Sequence, residues 1–464
     1  MEGFSSPGRL CTTALVLLMC LFLCLAKEDK RTNVLLIMFD DLRPQLSIYG
    51  KEYMITPNFE RLAKRSVVFD NALCQVAVCN PSRNSFLTGL RPDTTGSYNF
   101  ETSILPHIPF PALLVNHGYN TAASGKIEHS RLATEKYADA ATTEKTIWSH
   151  ECWENGWYKY QGSEKQLMNS SVTPDKNRKL EDFRDWQFTN RTLQHIRHLS
   201  AKPQPFLSAI GFKLPHLELH VPHKYFSMYK DKAPEWKLSK RELKFPSSVS
   251  EISYRCCAEG RFRFMNNEGS EVHNHSHPLL QIDKALPNQM HDELMMGYSA
   301  GITYLDDQLG RILDLLDELH LWDNTTVILT SDHGMHNGEK GIWEKWTLFE
   351  ESLRVPLIIS HPRSPFQGQR YSPPVETLDV FPTIVELMGL TGTAGKKCKG
   401  WYCHPLDGKS LAGVVLGVPE KVAESASKEA RAKAGKGKTG GGGWGVGKKR
   451  SKAKSGHRKK KGEA

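Results

Sequence analysis

The sequence predicts an α/β protein, with a mostly parallel sheet sandwiched between helices. Three observations carry that expectation. Apolar, β-rich runs alternate along the chain with segments of helical period. Val34–Phe39 and Thr326–Thr330 are near-continuous hydrophobic runs, as parallel strands covered on both faces require. Of the 464 residues, 39% are hydrophobic and 9% aromatic, which is enough to bury a large core and excludes wholesale disorder.

In chain order, the strands expected are Val34–Phe39, Ser66–Phe69, Thr121–Ser124, Phe206–Gly211, Thr326–Thr330 and Pro356–Ser360. The first helix, Pro57–Arg65, has Thr56 as its cap and Pro57 at its first position. Leu105–His117, Asp292–His320 and Leu378–Met388 are the other helices expected. No internal repeat is present.

The two ends of the chain read differently from its body. Arg9 supplies a positive charge, Ala14–Leu25 is almost wholly apolar, and Cys24-Leu25-Ala26 is a small-residue cleavage site. Residues 1–26 therefore read as a signal peptide, with a signal anchor as the alternative. No later segment is long enough for a membrane helix, so no stable membrane insertion is expected. Four sequons, at Asn169, Asn190, Asn274 and Asn324, suit a secretory route. The formal net charge of +10 invites a nucleic-acid reading, but residues 419–464 hold 15 Lys/Arg against 4 Glu. The body is thus near neutral, no nucleic-acid partner is expected, and 419–464 reads as a disordered basic Lys/Gly-rich tail. Residues 27–418 are expected to form the folded body.

Seven cysteines follow residue 26: Cys74, Cys79, Cys152, Cys256, Cys257, Cys398 and Cys403. Cys398 and Cys403 are close enough to bridge locally, and the adjacent Cys256-Cys257 suit separate partners. In an oxidising compartment an odd count leaves one cysteine spare.

The chemistry gathers where strands end. The first strand runs into Phe39-Asp40-Asp41 and the fifth into Ser331-Asp332-His333-Gly334. Such carboxylates suit a hard divalent cation, although either pair alone reads more readily as helix or turn capping. The third cluster is Cys79-Asn80-Pro81-Ser82-Arg83, followed by Leu87-Thr88-Gly89. By chance, Cys-x-Pro-Ser-Arg should occur on the order of 0.002 times in a chain of this length and composition.

With this motif the chain resembles the sulfatase family, most closely its iduronate-type members, from about Asn33 to Leu411. The matching stretches are Leu36–Gly50, Ala77–Thr95, Gly125–His129, Gly211–His216, Tyr304–Trp346 and Arg354–Ile358. The resemblance implies an alkaline-phosphatase/sulfatase-like fold, lysosomal or secreted, acting on sulfated glycosaminoglycan. It implies that a formylglycine-generating enzyme oxidises Cys79 to formylglycine (3-oxoalanine), leaving six cysteines for disulfides. One oxygen of the hydrated aldehyde then attacks sulfur, and the second hydroxyl expels sulfate.

The same resemblance assigns roles residue by residue. Asp40, Asp41, Asp332 and His333 are the implied ligands of a calcium ion, with the group made from Cys79 beside them. Arg83 stabilises that group, and Lys126 and His129, set one helical turn apart, contact it and the sulfate. His216 and Lys345 grip sulfate and protonate the leaving oxygen; a histidine suits that task at mildly acidic pH.

Three departures bear on specificity. Gly211-Phe-Lys-Leu-Pro-His216 replaces a His-Lys pair with Lys213-Leu214, and Lys340 stands where His is usual; both are expected near the sugar pocket. The antiparallel C-terminal subdomain usual in the family is expected to be missing after Leu411. The 2-O-sulfate of iduronate in heparan or dermatan sulfate is the expected target. A sulfatase of another sulfated sugar or aryl sulfate, or a truncated non-catalytic polyanion binder, is the alternative.

Overall fold

Strand β1, Asn33–Phe39, is buried along its whole length, so its apolar side chains must be covered on both sides. Leu35, Ile37 and Phe39 enter one core cluster, and Val34, Leu36 and Met38 enter the other. That alternation is the period of two expected of a central strand. The computed structural model describes residues 31–100, 102, 107–129, 148, 151–153, 172–238, 248, 263–265, 271–274, 288–343, 345–390 and 405–417.

After β1 come helix α1 (Pro57–Ala63), β2 (Val67–Leu73), α2 (Cys79–Thr88), α3 (Phe110–Asn116), β3 (Asn120–Gly125) and β4 (Glu151–Trp153). They are followed by α4 (Arg184–Ser200), β5 (Phe206–Gly211), α5 (Asn288–Glu318), β6 (Thr325–Ser331), β7 (Arg354–Ser360), β8 (Gln369–Tyr371), β9 (Val375–Glu376) and α6 (Val380–Leu387). The sheet order is β8-β2-β7-β6-β1-β5-β3-β4, with β9 also paired to β2. Residues of α1, α4 and α5 join the core cluster on one face; residues of α2, α3 and α6 join the other. The mostly parallel sandwich is therefore present.

Register places the site. Phe39 pairs with Ser331, Met38 with Gly211, and Gly125 with Gly211. Four parallel strands thus finish at one edge, and the residues that follow them are brought together there.

The strand expected at Pro356–Ser360 is present as β7, and it runs antiparallel to both β6 and β2, a direction the sequence left open. Several expectations need correction. Thr56 does not cap α1 with its hydroxyl, which pairs instead with Ser47. The Asp306 carboxylate of α5 takes that role, accepting from the Asn58 and Phe59 N–H groups at 2.9 Å each. Lys126–His129 forms a bend rather than a helical turn. Cys74 is a buried thiol near the Val76 and Ser352 carbonyls, so disulfide pairing does not extend to it.

The expected signal peptide, the basic tail, and Asn169, Cys256, Cys257, Cys398 and Cys403 lie outside the described residues, as does part of the expected Leu105–His117 helix. Asn190 sits within α4, and Asn324 is exposed in the turn before β6. Among the described residues, no helix is long and apolar enough to cross a membrane.

Candidate active site

Cys79 opens α2, and every residue of that helix is buried. Its Sγ lies 3.3 Å from His333 Nε2, 3.3 Å from Lys345 Nζ and 3.6 Å from Asp40 Oδ1. Residues from the ends of β1 and β6, from α2 and from the loop before β7 therefore meet at one sulfur.

Arg83 follows Cys79 by one helical turn and is wholly buried. Its Nε donates to Asp332 Oδ2 at 2.9 Å, and its other nitrogens reach the Lys126, Ile127 and Phe39 carbonyls. Lys126 Nζ binds Asp40 Oδ2, and Lys345 Nζ donates to Asp41 Oδ1 at 2.8 Å. The cluster holds three carboxylates, Asp40, Asp41 and Asp332, against three cations, Arg83, Lys126 and Lys345, all buried. Desolvation on this scale persists only where opposite charges and hydrogen bonds offset it.

Lys126 reaches its position because two strand ends approach unusually closely. The Lys126 N–H donates to the Gly211 carbonyl at 2.7 Å. A Cβ on Gly211 would lie 1.9 Å from the Lys126 carbonyl oxygen, and one on Gly125 would lie 2.1 Å from the Gly211 oxygen. Gly125 also has a φ of +73°. Only glycine fits at either position.

Burial alone would raise the Asp40 carboxyl, but Lys126, His216, Arg83 and Lys345 together hold it well below the usual range. Burial wins at Asp41, which is pushed up to about 7 despite Lys345 and His333. Burial lowers His333, yet Asp332 and Cys79 reverse this and raise it to about 9. Burial takes His129 down to about 3, helped by Lys126, and holds His216 well below its ordinary value.

The fit to a divalent cation rests on the donor set. One ligand atom from each of Asp40, Asp41, Cys79 and His333 lies within 4.8 Å of the others, and all four residues are buried. Asp41, a carboxyl that burial leaves hard to ionise, is the group a cation would most favour in its charged form. His333 Nδ1 lies 3.0 Å from the Gly334 carbonyl and 3.2 Å from Asp41 Oδ1, while Nε2 is directed at Cys79. Asp332 stands slightly apart. Its Oδ1 accepts from the Asp41 and His333 N–H groups, and its Oδ2 from Arg83.

His129 stacks against Phe100, with ring centroids 4.7 Å apart, and Phe100 packs edge-on against Trp346 at 5.5 Å. The charges of Lys126, Asp40 and Lys345 act on both His129 and His216. His216 Nδ1 bonds to the Leu217 carbonyl. Lys340 is committed elsewhere: its Nζ lies 2.5 Å from Glu351 and over the Phe349 ring.

Sequence reasoning missed Ser82, whose hydroxyl reaches the Asp332 carbonyl, and Tyr298, which donates to the Asp41 carbonyl at 2.7 Å. Ser82 lay inside the motif; Tyr298 carried no local signal. Gly125 and Gly211 were visible as glycines at strand ends.

A family model described as Sulfatase matches residues 32–390. The chain is 31% identical to the iduronate 2-sulfatase of Mus musculus over 398 residues, covering 77% of this chain and 69% of that one. The Homo sapiens iduronate 2-sulfatase is 30% identical, with the same coverage. Among solved structures, a phosphonate monoester hydrolase from Silicibacter pomeroyi shares the fold, with a TM-score of 0.62 at 21% identity over 83% of this chain and 77% of that one.

Proposed function

The chain belongs to the sulfatase family and is a sulfuric ester hydrolase; from that premise we propose that it removes the 2-O-sulfate of iduronate in heparan or dermatan sulfate. The observation that carries this reading is the Cys79 thiol at the first turn of a buried helix, with Lys345 Nζ and His333 Nε2 each 3.3 Å away. We assign Cys79 as the residue that a formylglycine-generating enzyme converts, and Asp40, Asp41, Asp332 and His333 as holders of Ca2+. When present, the hydrated aldehyde supplies a nucleophilic oxygen and the cation a Lewis acid.

The chain's own residues do the rest. Arg83 places a fixed guanidinium beside Asp40 and Asp332, which offsets two of the three buried carboxylates. Lys126 and Lys345 bring two ammonium groups to residue 79, where they orient an anionic sulfate ester. His216 is the proton donor to the leaving alcohol. Because its Nδ1 faces a carbonyl, Nδ1 carries the proton of the neutral ring and Nε2 has the lone pair. Nε2 donates only after taking up a second proton; burial opposes this, and the negative charge of a bound sulfate ester would favour it. His129 holds the opposite wall, its ring fixed by Phe100.

This reading places the protein in the secretory pathway, bound for the lysosome or secreted, with residues 1–26 removed and 419–464 outside the catalytic body. Lys340, tied to Glu351, leaves sugar recognition to other groups. The test is co-expression with a formylglycine-generating enzyme, mass spectrometry of the Cys79 peptide, and assay on 4-methylumbelliferyl iduronide 2-sulfate. Conversion of Cys79 and turnover are expected, with Cys79→Ala losing at least about 10⁴-fold in kcat/KM. Turnover surviving Cys79→Ala overturns the mechanism; converted protein active only on other sulfate esters overturns the substrate. Converted protein inert on every sulfate ester favours the polyanion binder.

A further inference from the structure

We propose that Tyr298 is a positioning residue: its hydroxyl, backed by Arg43 and Glu339, holds Asp41 in the backbone conformation that presents its carboxylate to a divalent cation. The inference rests on the cation reading above and deepens it.

Asp41 has a φ of +65°, in the left-handed region that side chains other than glycine rarely adopt. Such residues persist only where the surroundings over-determine them. Here both sides of the residue are pinned. Its N–H donates to Asp332 Oδ1 at 3.2 Å, and its carbonyl accepts from Tyr298 Oη at 2.7 Å. The same Tyr298 oxygen accepts the Arg43 N–H at 3.2 Å. One buried hydroxyl from α5 therefore bridges the turn from residue 41 to residue 43, directly after β1.

Arg43 carries the brace further. Its guanidinium donates to Glu339 Oε1 at 2.7 Å and to Gln45 Oε1 at 3.0 Å. Glu339 in turn accepts the Asn337 N–H at 2.7 Å, and the Asn337 amide donates to Gln45 at 3.2 Å. The turn after β1 and the loop after β6 are thus locked together. Those two segments supply Asp40, Asp41, Asp332 and His333. Tyr298, Arg43 and Glu339 bond to Asp41, to one another and to the two segments rather than to the Cys79 sulfur, so they act through the ligand residues.

A tyrosine hydroxyl that merely satisfies a helix would affect stability alone; one that sets a ligand's backbone must affect ion affinity. The experiment titrates Ca2+ calorimetrically into chelator-stripped full-length protein, and separately records the melting temperature of the ion-free protein. Variants are Tyr298→Phe and Glu339→Gln, with Tyr229→Phe as the matched control. Tyr229 also has a buried hydroxyl, bonded to the Ile55 N–H and to Thr303, away from the cluster. Tyr298→Phe is expected to weaken Ca2+ binding by about 10- to 100-fold, as loss of a ligand's outer support does. Glu339→Gln should weaken it less, and Tyr229→Phe should leave it unchanged while lowering the ion-free melting temperature comparably. Equal Ca2+ affinity in Tyr298→Phe and the unsubstituted protein overturns the proposal, whatever the melting temperatures do. Failure of the unsubstituted protein to bind Ca2+ overturns the cation reading, and this proposal with it.

Discussion

Arg83 with Asp332 and Arg197 with Glu318 are the same chemical pair, at nearly the same separation, in two different media. The first is 2.9 Å long with both side chains at 0% exposure. The second is 2.7 Å long with side chains 52% and 56% exposed. Geometry therefore does not distinguish them; solvent does. At the surface, water already satisfies both charges and salt screens what attraction remains. In the site both side chains are buried away from solvent, so each charge depends on the partner that the fold supplies. The same isolation lets Arg83, Lys126 and Lys345 act strongly on charge that develops at residue 79.

Removing one buried partner should have the largest effect. Arg83→Met keeps much of the side-chain volume but leaves Asp332 and Asp40 without their shared cation. Loss of about 3–5 kcal/mol in urea denaturation is expected, together with loss of sulfatase activity. Adding Asp332→Asn should restore part of the stability and none of the activity. If the double variant is no more stable than Arg83→Met, the uncompensated carboxylate is not what costs stability.

The same contrast explains what was legible in the sequence. β1 and β6 could be read because whole-strand burial writes a continuous apolar run, and α5 because its 31 residues repeat a helical period. The antiparallel direction of β7 could not be read, since a strand buried on both faces looks alike in either direction. Cys79 and Arg83 stood out because both lie within five consecutive residues. Tyr298 lies 257 residues from the carbonyl it supports, and the carboxylate of Asp306 displaced the local cap at Thr56 from nearly as far. Contacts of that kind leave no periodicity and no motif. Gly125 and Gly211 are intermediate: their positions at strand ends were readable, but not the backbone crossing that forbids a side chain.

Asp185 lies between the two extremes and sharpens the comparison with a smaller effect. It is buried in α4 and accepts the Lys213 N–H at 2.7 Å, bracing the segment that leads to His216. It has backbone donors, and the charges of Lys213 and Arg184 also favour its ionised form. Burial accordingly outweighs them and pushes it up to about 6 from 3.8. A carboxyl raised on folding contributes stability that is full below 3.8 and lost as pH climbs through about 6. Asp185→Asn keeps an acceptor and removes the titration, so it should abolish on the order of 2 kcal/mol of relative destabilisation between pH 4 and pH 7. Denaturation of both proteins across that range checks the sign. A difference that grows toward acid would mean that Asp185 is paired in the fold, like Asp40.

The smallest effect belongs to the exposed pair. Arg197 Nη1 and Nη2 each meet a Glu318 oxygen at 2.7 Å, the bidentate geometry that is strongest when desolvated. The pair links α4 to α5, so on geometry alone its loss should be felt. The comparison says otherwise: Arg197→Ala should leave the melting temperature within measurement error, and added salt should not change that. A clear, salt-sensitive drop would show that bidentate geometry outweighs exposure in this protein. In that case the depth of the Cys79 cluster would be less decisive for its charges than their arrangement.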